Sequence, residues 1–164
     1  MGLFEKEEDK IEDVYIGLRQ QAFGVKPENK KFYQEGVNLV FGAVVDMPVS
    51  EATVSLFCSF DGTVSLYFSN GGGLLGSGQE YETVSKAGRE FLYNASQTLS
   101  YLSTVTDTTF VKKDITVVYL LASQGIYKME YDMNQNQSEE YKSFLNHLIQ
   151  RVLNALRDSG AMNY

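Results

Sequence analysis

Residues 54–68 read VSLFCSFDGTVSLYF, and two features of this run decide the fold class. Val54, Leu56, Cys58 and Phe60 alternate with Ser55, Phe57 and Ser59, the period of two that a strand requires. Asp61-Gly62 then supplies the residue types of a two-residue hairpin turn, and the chain returns with Val64, Leu66 and Phe68 on one face and Ser65 and Tyr67 on the other. Upstream, Val37, Leu39, Phe41, Ala43 and Val45 are expected on one face of a strand and Val40 and Val44 on the other. Apolar residues on both faces mark a central strand, which Pro48 ends.

The periodicity changes on either side of this hairpin. Ile11, Val14, Tyr15 and Leu18 fall at helical spacing, so residues ~5–22 read as an amphipathic helix with an acidic first turn, ended by Gly24 and the Lys26-Pro27-Glu28-Asn29 run. Past the glycine-rich stretch 71–78, Val84, Ala87, Phe91, Ala95, Leu99 and Leu102 describe a helix of about six turns. Ile115, Val117, Tyr119 and Leu121 face one way along the next strand and Val118 and Leu120 the other; Gln124-Gly125 turns into a half-polar strand, Ile126 to Asp132. Ser138 is the expected cap of a last helix whose stripe runs from Tyr141 and Phe144 to Leu156, with a frayed tail from Ser159. The order α-β-β-β-α-β-β-α describes one α+β domain over 1–164, a five-stranded, mostly antiparallel sheet with three helices, its first ten residues and its tail frayed. That inventory is similar to profilin-like and roadblock-like domains, whose helix interrupts the strands at a different point, and the likeness carries no function with it.

Composition narrows the function classes. The 164 residues are 43% hydrophobic and 21% charged, which suits a globular domain. A lone cysteine, Cys58, and a lone histidine, His147, are too few for a zinc site or an internal disulfide, and no cofactor is implied. Acidic Glu5, Glu7, Glu8 and Asp9 stand where a secretory signal needs a basic start, and Lys6 departs from the myristoylation pattern, so the expected location is the cytoplasm. The net charge of −7 is uneven: residues 36–111 hold seven acids against only Lys86 and Arg89, whereas residues 14–35 sum to +2. Nucleic acid and anionic membranes are disfavoured partners, and a basic protein would be steered in.

Gly71, Gly73 and Gly76 satisfy G-x-G-x-x-G after a strand and before a helix, so Asn70, Gly71, Gly72, Gly73, Gly76, Ser77 and Gly78 are the candidate anion-binding residues. Against that stand the preceding hairpin, the missing Gly-Lys-Ser/Thr, and Glu80 and Glu82 at the helix start; a structural loop needing positive φ angles is the competing account. The run Asp61-Gly62-Thr63-Val64-Ser65-Leu66-Tyr67-Phe68-Ser69-Asn70-Gly71-Gly72-Gly73, with Ala87, Gly88 and Phe91 in the helix beyond, resembles a segment of an uncharacterised bacterial protein family. The resemblance covers about a quarter of the chain and implies a bacterial origin and a shared hairpin, loop and helix, with no activity attached.

Elsewhere no catalytic set is legible. Cys58 reads as a core thiol, His147 as a surface residue off the Phe144/Leu148 stripe, and the adjacent pairs Glu7/Glu8 and Glu139/Glu140 point apart on their helices. Tyr67, Tyr127, Met129 and Tyr131 form a possible interaction surface on the sheet, unless a helix covers it. The expected function is a non-enzymatic interaction module, self-associating or binding a basic partner in the manner of an immunity or inhibitor protein. The alternatives are a small-ligand or anion-binding domain using loop 70–78, and an enzyme whose groups meet only in three dimensions.

Overall fold

A computed structural model of the chain describes residues 7–160; the ends expected to fray are outside that range except for residues 7–10 and 159–160. Helix α1 (Glu7–Phe23) leads through a 3-10 turn (Lys30–Tyr33) to the strands β1 (Val40–Val49), β2 (Ala52–Ser59), β3 (Val64–Phe68) and β4 (Gly73–Leu74). A single helical turn α2 (Ser77–Glu80), helix α3 (Glu82–Ala95) and a 3-10 segment (Ser96–Tyr101) follow, then β5 (Ser103–Val105), β6 (Thr116–Ala122), β7 (Gly125–Tyr131) and helix α4 (Glu140–Asp158). The main elements keep the α-β-β-β-α-β-β-α order, but the antiparallel sheet has seven strands rather than five, in the order β4-β3-β2-β1-β6-β7-β5. The two additional strands are edge pieces: Gly73–Leu74 against β3 and Ser103–Val105 against β7, too short and too polar to show alternation.

The central strand β1 is buried between two layers. On one face, Ala43, Val45, Leu56, Cys58, Val64, Leu66, Val118 and Leu120 meet Val84, Phe91 and Leu92 of α3 and Leu145, Ile149, Val152 and Leu156 of α4. On the other, Phe41, Val44, Phe57, Tyr67, Val117, Tyr119 and Leu121 pack with Tyr15 and Ala22 of α1 and with Phe32. A register shift between Val40 and Gly42 changes the expected sides in β1, putting Phe41 with Val44 and Val40 with Ala43 and Val45. Gly42 sits under the chain that follows α1, where a Cβ would lie 3.2 Å from a Val25 methyl.

Two helix boundaries also differ from expectation. Helix α3 ends at Ala95 because Ser96 and Thr98 bond locally to backbone: Ser96 Oγ accepts the Val40 amide and donates to the Leu92 carbonyl, and Thr98 Oγ1 donates to the Ala95 carbonyl. Helix α4 starts at Glu140 with no side-chain cap, its Lys142 and Ser143 amides bonding to the Glu139 carbonyl, so Ser138 is not the cap. In α1, Val14 is 63% exposed, and the inward stripe instead includes Tyr15, Arg19 and Ala22. The Asp61-Gly62 turn is longer than two residues: β2 and β3 last pair at Cys58 and Val64, and Asp61 accepts the Thr63 amide.

What fastens α1 to the sheet is a buried polar network. Arg19, 2% exposed, donates from Nη2 at 2.8 Å and from Nε at 3.2 Å to the Asp46 carboxylate on β1. Its Nη1 donates at 2.6 Å to the Thr108 carbonyl in the β5–β6 connection, and its guanidinium lies over the rings of Phe23, Phe110 and Tyr119. Asp46 also accepts from Ser55 Oγ of β2, which shares a 2.6 Å hydrogen bond with the Tyr15 hydroxyl. Burial opposes the Arg19 charge, yet the hydrogen bonds and charge of Asp46 more than offset it and raise the guanidinium's proton affinity; burial pushes the Tyr15 hydroxyl up to about 12. Replacing one partner of such a pair leaves a buried charge, at a cost of about 3–5 kcal/mol. Arg19→Met is expected to lose about that much in urea unfolding, and Arg19→Met/Asp46→Leu to regain most of it; a double variant no more stable than the single would contradict the assignment.

Candidate functional site

The connection from α1 to β1 and the C-terminal half of α3 frame an apolar cleft at the end of the sheet where β1 begins and β2 ends. Its volume is about 290 Å³, and Phe32, Leu39, Val40, Phe60 and Leu92 form its apolar lining. Phe32 is fixed by edge-on contacts with Phe41 (6.0 Å) and with Phe60 of the same lining (5.8 Å), and the 3-10 turn that carries it is capped by Asn29, whose side chain accepts the Lys31 amide. Ser96, also in the wall, is held by its bonds to Val40 and Leu92. Tyr93 lines the cleft from α3 while 75% exposed.

Among the described residues, two cations and no carboxylate line this cleft: Lys31, on the 3-10 turn, and Arg89, on α3. Arg89 donates to Ser85 Oγ at 2.6 Å and lies 3.6 Å from Glu82, an exposed pair. Lys31 Nζ lies 5.1 Å from the Phe32 ring centre. The acidity of the middle segment is partly neutralised elsewhere, because Asp46 is paired with Arg19 and Glu90 with Lys86 and Arg151. An apolar, half-open recess with positive charge at its rim can accept an apolar group attached to an anion.

Each glycine of the loop has a structural account. Gly71 and Gly72 take φ values of 109° and 82°, closing a turn in which the Phe68 amide bonds to the Gly72 carbonyl and the Gly71 amide to the Phe68 carbonyl. Gly73 pairs with Tyr67, and a Cβ there would lie 2.3 Å from the Leu66 carbonyl oxygen. The Gly76 amide donates to Ser65 Oγ; Ser77 is buried, opening α2, and its carbonyl accepts the Tyr81 amide. Gly78 crosses the β2–β3 turn so closely that a Cβ would lie 1.9 Å from the Gly62 carbonyl oxygen. Asn70 is exposed. Helix α2 is a single turn, and Glu80 and Glu82 place acidic side chains in the first turns of α2 and α3, a charge that opposes an anion there.

The four aromatic and methionine positions do not make one surface. Tyr67 lies under α1, whereas Tyr127, Met129 and Tyr131 face α3 and α4; Met129 and Tyr131 are buried, with the Tyr131 hydroxyl donating to Asn146 Oδ1. Tyr127 is half-buried, its hydroxyl accepting from Asn38. The physical reason is the sheet's alternation, which puts β7's odd-numbered residues beneath the helix α4. Cys58 is fully buried, its thiol pushed up to about 12 by burial, and His147 is exposed. Among the described residues no group of three or more His, Cys, Asp or Glu side chains could hold a metal ion, and no helix is long and apolar enough to cross a membrane.

No protein-family model, curated protein or solved structure matches this chain. Gly78→Ala is expected to destabilise by about 2–3 kcal/mol, because backbone must move, and Gly72→Ala, which has open space but a left-handed φ, by only about 1 kcal/mol. Equal losses in thermal or urea unfolding would contradict the close crossing.

Proposed function

We propose that this protein is a non-enzymatic interaction module and that it engages its partner through the cleft between the Lys30–Tyr33 turn and α3. The observation that supports this reading is the coexistence, at one place, of an open apolar recess of about 290 Å³, two cations and a 75% exposed tyrosine, Tyr93. Exposed apolar recesses bordered by polar groups are where buried aromatic or aliphatic anchors of a partner dock, and tyrosine and arginine are enriched at such contacts. The ionisable groups with the most displaced proton affinities, Tyr15, Cys58 and Tyr131, are raised by burial and lie inside the core, away from this cleft. The acidic remainder of the surface suits steering and solubility rather than contact.

The test is a photo-crosslinking phenylalanine analogue at position 93, compared with the same analogue at Arg157, which is exposed on α4 and outside the cleft lining. In living cells the expected result is one discrete adduct from position 93, to a second copy or to another protein, that disappears when Leu39→Glu places a charge in the cleft. Identical adduct patterns from positions 93 and 157 would overturn the reading.

A further inference from the structure

We infer that the cleft takes an acidic partner segment: an aromatic or large aliphatic side chain inserted against Phe32, Phe60 and Leu92, with a neighbouring carboxylate meeting Lys31 and Arg89. This rests on the interaction reading above and names its partner's chemistry. The chain as a whole carries −7, which by itself draws in basic partners, yet among the described residues the lining of this cleft holds two cations and no acid. Local charge at a docking site decides which sequence is accepted, and the net charge acts only on the approach.

Size selects the kind of occupant. A cavity of ~150 Å³ takes one benzene ring, and small-molecule sites run from ~300 to ~1,000 Å³ while enclosing most of their ligand. At about 290 Å³ and open to solvent, the cleft holds one large side chain and leaves the rest of a peptide lying across Tyr93. The two cations match this arrangement, because Lys31 reaches the cleft from the turn and Arg89 from α3. The existing Arg89–Glu82 contact is long and exposed, at 3.6 Å, so an incoming carboxylate replaces a weak pair rather than a buried one. Ser85, hydrogen-bonded to Arg89 Nη1, fixes the guanidinium beside Gly62 of the β2–β3 turn.

Three fluorescein-labelled dodecapeptides test this against the whole chain by fluorescence anisotropy: one with a central Phe among Glu residues, one with Lys replacing every Glu, and one with Ala replacing the Phe. The acidic Phe peptide is expected to bind at least about tenfold more tightly than either other peptide, and to weaken as salt screens the rim. Lys31→Glu with Arg89→Gln should remove about tenfold of that affinity, and Tyr93→Ser a smaller part, without altering thermal unfolding. If the Lys peptide binds as tightly or more tightly, and Leu39→Glu abolishes it, the acidic assignment fails while the cleft reading stands. Binding of the acidic peptide that ignores Leu39→Glu overturns both. Saturable binding of anilinonaphthalene sulfonate at the cleft, with none of the peptides bound, overturns the peptide assignment in favour of a small aromatic acid.

Discussion

One buried ion pair joins the two halves of this architecture. Arg19 of α1 and Asp46 of β1 meet bidentately between the helix and the sheet, and the same guanidinium holds the Thr108 carbonyl of the β5–β6 connection. A charge so placed tolerates little movement, because any opening that separates the pair without admitting water strands both ions. The aromatic rings of Phe23, Phe110 and Tyr119 around the guanidinium make the site drier and the geometry narrower. Among the described residues the α3/α4 face has no comparable buried ion pair. It is held by aliphatic packing of Leu, Ile and Val around the sheet, which is stronger in sum and less particular about angle.

The cleft inherits its shape from this fastening. Sixteen residues separate the end of α1 at Phe23 from the start of β1 at Val40, and within them lie Lys31 and Phe32, one wall of the cleft. Their position depends on both ends being fixed: α1 by Arg19 and Tyr15, and β1 by its two strand neighbours. The opposite wall, on α3, is set by Phe91, Leu92 and Ala95 in the other core. A recess built between two separately fastened layers is preformed, which lowers the ordering cost of docking.

Much of the fold is legible in the sequence, and the reasons it stops being legible are local. The β2–β3 strands as far as Ser59, the sides of Val117 to Leu121 and the α4 stripe follow from periodicity, because these elements are long and amphipathic or apolar; Phe60, expected beside Val54, Leu56 and Cys58, packs on the α1 side instead because β2 ends at Ser59. Phe41 falls on the other side than expected since a bulge resets the alternation at Val40–Gly42, and a bulge leaves no mark in a strand pattern that is apolar on both faces. Strands β4 and β5 exist only by pairing with a neighbour, so Gly73–Leu74 and Ser103–Val105 carry no signal of their own. The candidate site is the least legible part. Lys31, Leu39, Phe60, Arg89 and Tyr93 come together only through the tertiary fold, although the basic balance of residues 14–35 within an acidic chain was a faint pointer to it. Asp46 had a clearer signal, as a lone acid inside an otherwise apolar strand, matched by Arg19 four residues after Tyr15 on the inward side of a helix.

The central claim is that the Arg19–Asp46 pair holds α1 and, through it, the cleft wall. Amide hydrogen exchange of the Arg19→Met protein against the parent chain tests it most directly. The account requires lost protection in α1 and in the Lys30–Tyr33 turn, with β6, β7 and α4 retaining theirs. Unchanged protection in α1 and the turn, or an even loss across the whole sheet and both helical layers, would contradict it.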